Sequence, residues 1–102
     1  MSDEFLKTIL ALVKARKNRL KEDTTLDDVF TMCIKGAFSK LADKGIHIDE
    51  TDSADTLMLV DYAVWRYNNR DSQDAEPLWL KTDLRERWLR DPFRETPGGG
   101  GA

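Results

Sequence analysis

The stretch "ADTLMLVDYAVWRYNN", residues 54–69, limits what this chain can fold into more than any other. Leu57, Met58, Leu59, Val60, Tyr62, Ala63, Val64, Trp65 and Tyr67 fall on nearly every side of a helix, and a helix apolar all round has to be covered on most of its circumference. A chain of 102 residues is one domain with few other elements to do the covering. The segment therefore reads as the central helix of a small bundle. Part of its surface is a candidate for contact with another subunit.

Three further helices are expected around it. Ser2 is placed to cap a first helix, with Asp3 and Glu4 in the turn where carboxylates complement the helix dipole. Phe5, Ile9, Leu12, Val13 and Leu20 then recur at helical spacing, and Leu6 and Leu10 widen that face. Thr25 with Asp28 approximates a capping box and opens a second helix. Its apolar arc runs through Leu26, Val29, Phe30, Cys33, Ile34, Ala37, Phe38 and Leu41, and Gly45 follows Lys44 as the residue after a C-cap. Gly36 leaves room for a close approach, and Cys33 reads as a small core residue. Pro77 suits the first position of a fourth helix reaching to about Arg90, which Pro92 helps to stop. Leu80, Leu84 and Trp88 form one stripe of that helix; Leu78 and Leu89 lie on another side with Lys81 and Arg85. The fold class is thus all-α, a small bundle of about four helices over residues 1–91. A Pro/Gly-rich tail follows at 92–102 and is expected to be mobile without a partner.

Charge narrows the functional classes. The net charge is −3, with 34% charged and 40% hydrophobic residues, and no apolar run approaches the roughly 20 residues of a bilayer crossing. The start, MSDEFLKTIL, has acids where a secretory signal has a basic region, so a cytoplasmic location is expected. The block "KARKNRLK" disperses around its helix and reads as solvated surface. Residues 45–76 carry two basic residues against eight acidic ones. In "HIDETDSADT" the acids lack the alternation, glycine and terminal glutamate of a calcium loop. It reads as a solvated loop in which Asp52 or Ser53 caps the third helix. His47 is the only histidine, and GxxxxGK[ST], CxxC and HExxH patterns are missing. No catalytic residue, metal or cofactor is expected, and the chain does not read as an enzyme.

"TLDDVF" opening a helix that ends in "KLADKGI", an acidic loop, "LMLVDYAVWRYNNR", a polar break and "LWLKTDLRERWL" together resemble the head-tail connector (adaptor) proteins of tailed bacteriophages. The resemblance covers about residues 24–91. It implies a helical protein of the virion neck, assembled in the host cytoplasm as a homo-oligomeric, usually dodecameric ring beneath the portal. DNA would pass through the lumen without sequence-specific binding, and the opposite end would meet a stopper or tail-completion protein. It further implies that residues 77–95 dock on the portal protein, with Trp79, Trp88 and Phe93 as anchors beside Leu78 and Leu89. Lys81, Arg85, Arg87, Arg90 and Arg94 would be the charge partners. The alternative is a small helical regulator that binds nucleic acid or protein through "KARKNRLK" or "RERWLR".

Overall fold

The computed structural model describes residues 1–72 and 75–93. Four helices follow in chain order: α1 (Asp3–Arg16), α2 (Asp27–Asp43), α3 (Ser53–Asn68) and α4 (Leu78–Leu89). No strand occurs among the described residues, and no helix is long and apolar enough to cross a membrane. The expected tail is described only at Pro92 and Phe93; its remainder, Arg94 included, lies outside the described residues.

The core assembles around α3, as its all-round apolar character requires. Leu59, Val60, Tyr62 and Ala63 are buried against Phe5, Ile9 and Val13 of α1, Phe30, Ile34, Ala37 and Leu41 of α2, and Leu80 and Leu84 of α4. Leu57 alone of its large aliphatic residues is half exposed.

Two helix ends use the same device. At the end of α2, Gly45 takes a φ of +80°, its N–H donates to the Ala42 carbonyl, and the Ile46 N–H donates to that of Leu41. This is a Schellman motif, with Ile46 and Leu41 both buried at its apolar contact. At the end of α1, Asn18 takes the left-handed position with φ 57°, and the Asn18 and Arg19 N–H groups donate to Ala15 and Lys14.

That second motif corrects the expected length of α1. The helix stops at Arg16, so Leu20 lies beyond it and is exposed. The basic block is also not uniformly solvated. Lys14 is buried; its ammonium donates to the Lys21 carbonyl at 2.8 Å and stands 3.0 Å from Asp27 Oδ1, an ion pair without hydrogen-bond geometry at that oxygen. One lysine thereby joins α1, the following turn and the start of α2.

The other helix starts differ in how they are capped. Ser2 Oγ accepts the Phe5 N–H at 3.1 Å, and Asp52 accepts that of Ala54 at 2.8 Å, both as expected. The Thr25 and Asp28 box does not form: α2 starts after Leu26 with no side-chain cap, and Asp23 accepts the Thr25 N–H instead. Pro77 is the N-cap of α4, not its first helical residue.

Candidate functional site

Helix α4 advances about 100° per residue, and that rotation distributes the expected docking residues over four directions. Leu80, Leu84 and Arg87 face inward and are buried. Leu78 and Leu89 point outward and are 79% and 47% exposed. Lys81, Arg85 and Trp88 share one flank, where they line a groove with Leu84. The opposite flank carries Asp83, Glu86 and Arg90, and these line a second groove with Leu57, Met58 and Asp61 of α3. Trp79 is half exposed on that same flank by its place in the helical repeat.

Arg87 is therefore part of the body of the protein, not a surface charge partner. Its Nε and Nη2 donate to Asp55 at 2.6 and 2.9 Å, its Nη1 to Asp91 at 3.1 Å and its Nη2 also to the His47 carbonyl at 2.6 Å. Asp55 also accepts the Asp49 N–H, and Asp91 accepts those of His47 and Phe93. The His47 Nδ1 lies 3.0 Å from Asp91 Oδ1. Three buried charges thus hold the α2–α3 loop, α3 and the exit of α4 together.

The carboxylates set the electrostatics of this centre. Hydrogen bonds to Asp55 lead the effects that raise the Arg87 pKa. Burial raises that of Asp91, but the N–H groups of His47 and Phe93, the His47 ring and Arg87 outweigh it and hold the carboxyl down at about 2. Both aspartates are surrounded by protein donors that favour the ionised form.

Trp88 also belongs partly to the core. It packs against the buried cluster and covers the Gly45 turn, where a Cβ would stand 3.0 Å from the indole Nε1. Phe93 is 72% exposed, and its ring meets His47 edge-on with centroids 5.4 Å apart. Of the three expected aromatic anchors, Trp79 and Phe93 are open to a partner; Trp88 presents only what the groove leaves uncovered.

The acidic loop is exposed at Asp49, Glu50 and Thr51, as expected, and its acids also accept hydrogen bonds from within the chain. Asp49 accepts from the Thr51 N–H and hydroxyl, Glu50 from Ser2, and Asp52 caps α3. Asp55, the last acid of that stretch and inside the expected helix, is buried in the first turn of α3. No His, Cys, Asp or Glu group suited to holding a metal occurs among the described residues. Cys33 is half-buried, not a core residue, and burial pushes its thiol pKa up.

Sequence reasoning missed the Asp55 and Arg87 pair, and one signal could have found it. Asp55 precedes Leu59 by one helical turn and Arg87 follows Leu84 by three residues, which puts opposite charges on the two apolar faces that must pack. Compared with protein-family models, with curated proteins and with solved structures, the chain matches none.

Proposed function

We propose that this protein is a structural head-tail connector of a tailed bacteriophage, a ring-forming adaptor whose last helix docks on the portal. The observation that carries the reading is the outward side of α4. Leu78 and Leu89 lie there exposed, Trp79 is half exposed on the adjoining flank and Phe93 is exposed just past the helix, although each could have been polar without disturbing the core. Exposed apolar residues grouped on one element, with aromatic residues and arginine beside them, have the composition of a protein interface.

The contribution of Lys14 and Arg87 to the fold weakens the nucleic-acid regulator. Each is the buried, ion-paired member of the basic block that such a regulator would use. Their removal leaves a scattered surface charge on a chain of net charge −3, a poor basis for phosphate neutralisation.

The test is purification of the N-terminally tagged chain from cells that produce its natural partners, followed by negative-stain microscopy and mass spectrometry. Rings, or capsid vertices containing a portal, are expected. A single small species, or one retained only on DNA at low salt, would overturn the reading. Leu78→Ser with Leu89→Ser should abolish the association while leaving helicity intact.

A further inference from the structure

The groove on the Lys81 flank of α4 has an apolar floor and a cationic rim. Ile46 and Leu84 form the buried floor with Trp88, and Lys44, Lys81 and Arg85 surround it with Glu76. Its volume is about 310 Å³, at the lower end of ligand-binding clefts. This is space for an apolar side chain and its neighbours.

The rim is not balanced internally. Glu76, its only carboxylate among the described residues, accepts the Tyr62 hydroxyl at 2.6 Å and lies 3.9 Å from Lys44. The Tyr62 hydroxyl is itself fixed, since burial first and Glu76 second push its pKa to about 12. Lys81 and Arg85 are exposed and have no carboxylate partner among the described residues. Lys81 and Arg85 stand one helical turn apart, on the same edge of an apolar floor.

We infer that this groove binds a peptide segment in which an apolar side chain is flanked by carboxylates. The apolar group displaces water from Ile46, Leu84 and the exposed part of Trp88, and the carboxylates meet Lys81 and Arg85. Charge decides against a nucleic-acid strand. Glu76 stands on the rim beside Lys44, so a continuous run of phosphates would meet an anion there, whereas a short segment can confine its carboxylates to the Lys81 and Arg85 edge. A basic segment is excluded by Lys81 and Arg85 for the same reason.

This assignment rests on reading α4 as a docking element and specifies the chemistry of the segment it receives. The probe is a short capped peptide with one leucine between glutamates, titrated into the full-length, ¹⁵N-labelled protein. Two control peptides replace the leucine by alanine or the glutamates by lysines. The expected result is a saturable shift of the Trp88 indole N–H and of the Leu84 and Arg85 amides, with the Trp79 indole unmoved. The lysine peptide should produce none, the alanine peptide should bind more weakly, and Arg85→Glu or Lys81→Glu should weaken binding about tenfold or more.

Both substitutions are at exposed positions, and circular dichroism checks that each variant folds. Absence of a saturable shift, equal binding of all three peptides, or unchanged affinity in both charge-reversed variants would overturn the inference. These outcomes are separate from ring or portal association: a groove that fails to bind peptide leaves the connector reading to its own test, and a groove that binds survives the failure of that reading.

Discussion

Arg87 grips Asp55 with two of its nitrogens, at 2.6 and 2.9 Å, although the residues are 32 positions apart and both are buried. The same guanidinium also reaches Asp91 at 3.1 Å. One cation therefore serves two interior anions.

The arrangement sets an order of damage. Arg87→Met leaves Asp55 and Asp91 facing each other without a counter-charge, whereas Asp55→Asn leaves Arg87 still paired with Asp91. Breaking a buried ion pair costs about 3–5 kcal/mol, so Arg87→Met is expected at or above that range and Asp55→Asn below it. Urea midpoints of the two variants, compared at neutral pH, check the order. Equal losses would mean that Asp91 does not depend on Arg87.

Acid should act through Asp91. Its folded pKa of about 2 lies below the ordinary 3.8, so the unfolded chain binds the proton first as pH falls. The stabilisation is complete above about pH 5 and is lost as pH falls to 2 and below, on the order of 2 kcal/mol in all. Asp91→Asn should reduce the dependence of the urea midpoint on pH between about 5 and 2, at the cost of lower stability at neutral pH.

Two glycine-to-alanine changes should have opposite signs. At Gly45 the φ of +80° and the Trp88 indole, 3.0 Å from where a Cβ would stand, both oppose a side chain, and Gly45→Ala should destabilise by about 1–2 kcal/mol. At Gly36 the obstacle is the guanidinium of Arg66, also at 3.0 Å, but a flexible side-chain end can withdraw. Helix propensity then favours alanine by about 1 kcal/mol, and Gly36→Ala should be neutral or stabilising. Thermal midpoints distinguish the two.

Within the basic block, Lys14 and Lys17 should differ. Lys14→Ala removes a buried donor from the Lys21 carbonyl and the counter-charge of Asp27, with an expected loss of about 2–3 kcal/mol. Lys17 reaches Asn68 at the surface and lies over the Tyr67 ring at 5.4 Å; Lys17→Ala should cost less than about 1 kcal/mol. Similar losses from both in a denaturation series would show that burial of Lys14 contributes little.

Local signals in the sequence were legible where the interaction is local. The all-round apolar pattern of residues 54–69 identified α3 as the centre, and Ser2, Asp52 and Gly45 cap helices as their types suggest. The end of α1 was missed because Leu20, at helical spacing from Val13, extended the apolar face past it, although Asn18 is a residue type suited to the left-handed position that ends a helix. The resemblance implied the docking residues as one set over residues 77–95, although the helical repeat already divided Leu80, Leu84 and Trp88 from Leu78, Leu89, Lys81 and Arg85. Helical rotation separates them: Arg87 goes inward, Lys81 and Arg85 to one flank and Arg90 to the other.

The Asp91 carboxylate that receives the N–H of His47 closes a loop across 44 positions, and both α3 and α4 lie inside it. Closing so long a loop has an entropic cost that grows only slowly with length, but it has to be met before Arg87 finds both of its partners. The two helices are consequently expected to protect their amides from exchange as one cooperative unit. A partner that seizes α4 would then be felt along α3, in the middle of the core.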